Sequence, residues 1–210
     1  MAIVSWRHRF IFLKNHKTAG TSIEVHLAQQ CGALDIVTPI FTPHAEHQPR
    51  NHQDERGTPR YFNHMSAREI RALLPSEFGQ FYKFCFERHP VDKCLSYFAM
   101  LRNSPLHQKP ENPKTWEDYL EQGKFPVDTP RYTDETGALM VDRIYKYEAL
   151  APALGEIARA TTLEDRPLLV WEKAGYRYDV PSFDTVMASP AQRNLIFDAF
   201  AATLRFVDYS

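Results

Sequence analysis

Hydrophobic positions along the chain come in short unbroken runs and in helical stripes, and the two kinds alternate. Phe10 to Leu13 is an aromatic and aliphatic run of the sort a buried strand makes. From about Thr21 to Gln30, Ile23, Leu27 and Cys31 recur at the spacing of one helix face, so the first unit reads as strand, loop, helix. The pattern then repeats: Phe81 to Phe86 predicts a strand, and Pro90 stands at a first helical position, where its missing N–H costs nothing. Val91, Cys94, Leu95 and Phe98 follow at i, i+3, i+4 and i+7 and predict a helix with that stripe buried.

Between these units Pro39, Pro43, Pro49 and Pro59 stand among polar residues, predicting a long surface excursion at about 39–60 that borders a site. Ser66 with Glu69 is a capping-box pattern for a helix running to about Leu74. A second irregular insertion is expected at about 103–131, with one short helical stretch beginning near Thr115. Met140 to Tyr145 reads as a further strand, Tyr147 to Ala160 as an amphipathic helix, and Ser189 with Pro190 as the N-cap and first residue of a closing helix. Strands alternating with helices predict an α/β fold: a mostly parallel sheet covered on both faces.

Composition narrows this picture. A chain of 210 residues with 43% hydrophobic and 24% charged content has enough material for one core, and a single domain over 1–210 is expected. The formal net charge of -1 gives no global reason to bind a polyanion, so no nucleic-acid partner is expected and any anion site is local. Cys31, Cys85 and Cys94 lack the paired spacing of a disulfide framework or a zinc ribbon, which fits reduced thiols. The apolar amino-terminal stretch is broken by Arg7, His8 and Arg9, and no later segment approaches the length needed to span a bilayer. The expectation is a soluble, cytoplasmic protein with no membrane span.

The candidate chemistry begins in FLKNHKTAGTSIE, residues 12–24. A strand that ends in a glycine-containing turn and opens a helix aims several backbone N–H groups at one spot, and the helix dipole adds attraction for phosphate. Lys17 supplies a mobile charge, Thr18, Thr21 and Ser22 supply hydroxyls, and Gly20 lets the backbone approach an anion. In the nucleoside-triphosphate loop G-x-x-x-x-G-K-[ST] the lysine follows the last glycine. Here Lys17 precedes Gly20, so that pattern is not met. The plain alternative is a polar helix cap that binds nothing.

Together, HKTAGTSIE and FCFERHPVDKCLSYF resemble the loops of the sulfotransferases that use 3′-phosphoadenosine 5′-phosphosulfate, especially the carbohydrate-type branch and its bacterial relatives of sulfotransferase family 2. FNHMSAREIRALL, VDRIYKYEAL and the final FAATLRFVDY look like weaker landmarks of the same family. The resemblance implies a P-loop NTPase-like three-layer α/β/α sandwich that moves a sulfuryl group to a hydroxyl of a carbohydrate or small-molecule acceptor and leaves adenosine 3′,5′-bisphosphate. It further implies that Lys17 stabilises the leaving phosphate oxygen and that Thr18, Ala19, Gly20, Thr21 and Ser22 hold the 5′-phosphate. Arg88 and Ser96 would receive the 3′-phosphate, with Ser96 off the buried stripe of its helix and Arg88 alternatively a structural ion pair.

His64 is the expected general base, since imidazole titrates near neutral pH and the family often carries a histidine after this strand; a structural histidine is the alternative, and Glu55, Asp54 or His16 are substitutes. No metal is expected. His44, His47 and His52 lack a cysteine partner or helical spacing and read as loop histidines. Lys173 and Arg177 flank Gly175 and read either as contacts to the nucleotide or as surface charges. Tyr61, Phe62, Tyr132 and Tyr176 are aromatic residues able to stack on an acceptor ring. Two other functions compete: a nucleotide or small-molecule kinase on the same fold, and a non-catalytic adenosine bisphosphate-binding protein. Neither the acceptor nor the oligomeric state follows from the residues.

Overall fold

The computed structural model describes residues 2–41, 43–168 and 175–209. In chain order these form β1 (Ala2–Ser5), β2 (Phe10–Leu13), α1 (Gly20–Ala28), β3 (Ile36–Val37), α2 (Ala67–Leu73), α3 (Pro75–Gln80), β4 (Tyr82–Glu87) and α4 (Pro90–Asn103). There follow α5 (Trp116–Gln122), α6 (Thr129–Tyr132), β5 (Arg143–Lys146), a 3-10 turn, α7 (Leu150–Ala160), α8 (Phe183–Ala188), α9 (Pro190–Ala199) and α10 (Ala201–Leu204). The chain divides into two compact units, Met1–Glu87 with Asp128–Glu172, and Arg88–Val127 with Lys173–Ser210.

The first unit holds a five-stranded sheet of order β3-β1-β2-β4-β5, the centre of an α/β fold. Parallel pairing, as expected from strand–helix alternation, joins β2 to β4 and β4 to β5. Antiparallel pairing joins β1 to β2 and β1 to β3. The reason is local: residues 6–9 are too few for a crossover, so they form a hairpin turn with Arg9 at φ 53°. Asp35, 1% exposed, stitches that turn by accepting from Ser5 Oγ at 2.7 Å, Trp6 N at 2.8 Å and Gly32 N at 2.7 Å.

Strand alternation puts Phe10, Phe12, Phe84, Phe86 and Tyr145 on one sheet face, where they join Ile23 and Leu27 of α1 and Leu154 and Ile157 of α7 in one core. Ring pairs such as Phe12–Phe84, 5.4 Å between centroids, knit neighbouring strands across this face. Lys83 alternates to the other face, with its ammonium 5.4 Å over the ring of Phe78 in α3. Helices thus attend both faces of the sheet. The 39–60 excursion pairs with the sheet through the bridge Val37 to Arg50, and its Ile40 joins the core. Arg50 also donates to the carbonyls of Ala28, Cys31 and Gly32, satisfying orphan acceptors at the end of α1.

Local signals held where the chemistry is local. Ser66 and Glu69 make the reciprocal capping box of α2, and Thr115 with Asp118 makes another at α5. Ser189 sits at the N-cap of α9 with Pro190 at its first position, yet its side chain makes no cap bond. In the second unit the buried stripe Val91, Cys94, Leu95 and Phe98 packs with Trp116, Tyr119, Val186, Ile196 and Phe200. Among the described residues no helix is long and apolar enough to cross a membrane.

Candidate active site

The loop between β2 and α1 owes its shape to two residues in the left-handed region, Lys17 at φ 59° and Ala19 at φ 56°. Each costs on the order of 1 kcal/mol in a non-glycine residue, so the surrounding structure must hold them there. Thr18, between them, does not have positive φ; alternation of right- and left-handed residues is the pattern by which successive amides can converge on an anion. Helix α1 starts directly after, its first intrahelical bond running from Ile23 N to Ala19 O at 3.0 Å. Its N-cap is Ala19, which has no side-chain acceptor, so the helix end is not closed by a cap of its own. That observation counts against a loop that merely caps its helix.

Under the loop lies Lys14, a residue to which the sequence reading assigned nothing. Its ammonium donates to Thr21 Oγ1 at 3.0 Å and to Glu24 Oε2 at 3.1 Å, with the two charged side chains only 8% and 0% exposed. The Lys14 stem runs across Gly20: a Cβ at that position would stand 2.5 Å from Lys14 Cγ and 2.9 Å from Cε. Glycine is thus required here for room beside a buried lysine, since its φ is not positive. Because Thr21 Oγ1 accepts from Lys14, its own hydrogen remains available to an anion. The hydroxyl of Thr18 instead donates to Asn15 O at 3.3 Å, so its hydrogen is engaged within the loop. Asn15 in turn donates to Phe86 O at 3.0 Å and Glu87 Oε1 at 3.2 Å, anchoring the loop to the end of β4. Ser22 is buried in the first turn of α1.

His64 lies beside the start of this loop. Its Nδ1 is 2.9 Å from the carbonyl oxygen of Lys14, and because a carbonyl only accepts, Nδ1 carries the hydrogen and the lone pair resides on Nε2. Burial pushes the imidazole down to about 2, with the neighbouring His16 adding to the effect, so His64 is neutral at working pH. It too is left-handed, at φ 61°, and its carbonyl accepts from Arg131 Nη1.

His16 stacks on the His64 ring, 4.2 Å between centroids and 14° between planes. Its Nδ1 is 2.7 Å from Oδ1 of Asp128, and its backbone N–H donates to Oδ2 of the same carboxylate at 2.7 Å. Asp128 is fully buried, and Arg131 Nε donates to it at 2.8 Å. Asp54 and Glu55, the other substitutes for the base, are exposed in the 39–60 excursion. Asp128 and Arg131 belong to the stretch at about 103–131 read from sequence as an irregular insertion, and nothing in the local pattern marks Asp128 as the partner of a residue 112 positions away.

In the second unit Arg88 is 9% exposed and forms a forked pair with Asp92, its Nε and Nη2 each 2.5 Å from Oδ2. Arg177 pairs with Oδ1 of the same carboxylate, so Asp92 gathers two guanidinium groups. Ser96 lies on α4 off the buried stripe and is half-buried. Lys173 lies outside the described residues. His47 is buried, while His44 is half-buried, and no group of His, Cys, Asp or Glu that could hold a metal ion occurs among the described residues.

No family model matches the chain, and no curated protein matches it. Among solved structures it is similar to the crystal structure of mouse sulfotransferase SULT7A1 complexed with PAP, at 15% sequence identity and a TM-score of 0.49, over 94% of this chain and 85% of that one.

Proposed function

We propose that the protein is a sulfotransferase that takes a sulfuryl group from 3′-phosphoadenosine 5′-phosphosulfate to a hydroxyl of a carbohydrate or small molecule. The observation that carries this reading is the loop: an uncapped helix N-terminus, two left-handed residues in the turn that leads into it, and a lysine placed before the glycine. Lys17 balances charge on the phosphate oxygen as its bond to sulfur breaks, and the amides of 18–22 with the Thr21 hydroxyl hold the 5′-phosphate. Arg88 and Ser96 receive the 3′-phosphate, Arg88 exchanging Asp92 for the ligand. The base comes from the imidazoles at the foot of the loop, of which His64 is the one the sequence motif points to. No metal is invoked, because a sulfuryl group carries less negative charge than a phosphoryl group and needs less neutralisation.

Calorimetric titration with adenosine 3′,5′-bisphosphate, against ATP with magnesium, tests the reading. Metal-independent binding of the bisphosphate, weakened at least tenfold by Arg88→Ala, is expected. Preferential binding of magnesium-ATP would replace it with a kinase. Bisphosphate binding with no transfer by the wild type, to any alcohol, phenol or water, would leave a nucleotide-binding protein without catalysis.

A further inference from the structure

The two stacked imidazoles are held in different ways, and the difference assigns them different work. His64 Nδ1 faces a neutral carbonyl at 2.9 Å, while His16 Nδ1 faces a buried carboxylate at 2.7 Å. In the neutral Nδ1–H tautomer each ring carries its lone pair on Nε2. A proton taken up at Nε2 of His16 makes an imidazolium in direct contact with Asp128; the same proton on His64 would make a cation facing a carbonyl, in a site whose burial already disfavours charge. Resting on the sulfotransferase reading, we infer that His16, backed by Asp128, is the group that accepts the proton of the acceptor hydroxyl, and that His64 is a positioning residue that fixes the His16 ring plane.

The contacts around His16 form a closed circuit. Asp128 holds both its ring and its backbone N–H; Arg131 joins the Asp128 carboxylate to the His64 carbonyl; His64 Nδ1 returns to Lys14 O at the start of the loop. A base for in-line transfer needs a fixed tautomer and a fixed plane, and this circuit supplies both. His16 also directly precedes Lys17, so the proton acceptor and the leaving-group cation are consecutive residues. As the acceptor oxygen bonds to sulfur, its proton passes to His16 Nε2. The electron pair of the breaking S–O bond stays on the phosphate oxygen beside Lys17, and the bisphosphate leaves.

Two readouts on the full-length protein test the assignment. In ligand-free protein labelled with 15N-histidine, two-bond 1H–15N spectra should show His16 and His64 both as Nδ1–H tautomers. Asp128→Asn, whose amide can donate, should move the His16 hydrogen to Nε2 and leave His64 unchanged. In turnover of the phosphosulfate, with phenol as probe acceptor and water as the floor, His16→Gln should lower kcat about a hundredfold or more. Asp128→Asn should follow it and Asp128→Glu recover part of the loss, while His64→Phe, which keeps a flat ring, should cost less than tenfold. Bisphosphate binding within threefold of wild type is required of every variant and shows that each is folded. A His16 ring carrying its hydrogen on Nε2 in the wild type, or a larger kcat loss in His64→Phe than in His16→Gln, overturns the assignment while the sulfotransferase reading stands. A wild type that binds no bisphosphate overturns both.

Discussion

Replacing Lys14 by methionine keeps most of the stem that fills the space beside Gly20 but removes the ammonium that balances Glu24. The Lys14–Glu24 pair, 3.1 Å apart with side chains 8% and 0% exposed, lies where desolvation is nearly complete. Breaking such a pair from one side costs about 3 kcal/mol or somewhat more, because the remaining charge stays buried. For a chain of this length that corresponds to a fall in Tm of about 6–12 °C. Urea unfolding followed by tryptophan fluorescence measures the change. The pair's net worth is much smaller than the cost of breaking it, so Lys14→Met combined with Glu24→Leu should be at least about 1 kcal/mol more stable than Lys14→Met alone. A single variant that loses less than about 1 kcal/mol, or a double variant whose loss equals the sum of the singles, would refute the account of a tightly coupled pair under the loop.

Two further outcomes follow from the same region. Gly20→Ala puts a methyl group 2.5 Å from Lys14 Cγ, near the fixed root of a side chain whose far end is pinned at Thr21 and Glu24. It should cost about 1–3 kcal/mol, recovered largely in the Lys14→Met background where the stem can move, and equal costs in both backgrounds would contradict the steric origin. The second concerns pH. Burial pushes His47 down to about 4 and His64 down to about 2 from an ordinary value of 6.5, so both are neutral in the native state while the unfolded chain protonates them. The unfolded state therefore binds more protons below about pH 6.5, and stability falls with pH, by up to about 1.4 kcal/mol per unit for each histidine, the His47 share ending near pH 4. Urea midpoints measured at pH 6.5 and 5 should show this slope, and His64→Phe should flatten it; an unchanged slope would mean that His64 is not kept neutral by the fold.

What the amino-acid order determines by itself is whatever is settled within about a dozen residues. The strand runs at Phe10 and Phe84, the buried stripe from Val91 to Phe98, the capping box at Ser66 and the loop that opens α1 are all products of local periodicity and cap chemistry, and each stands where the pattern puts it. The lysine-before-glycine order was equally legible, since it is a string. What that string could not show is why Gly20 is needed, because the answer is the stem of Lys14, a residue that reads as an ordinary polar end to a strand. Nor could it pair His16 with Asp128, or lay one imidazole on another, since these partners lie 112 and 48 positions apart and meet only once the sheet has brought α6 and the residues before α2 to the loop. Periodicity reports which side of an element faces inward; which charge answers which across the core is decided by tertiary packing, where a carboxylate fully out of water must find its donors among whatever the fold delivers.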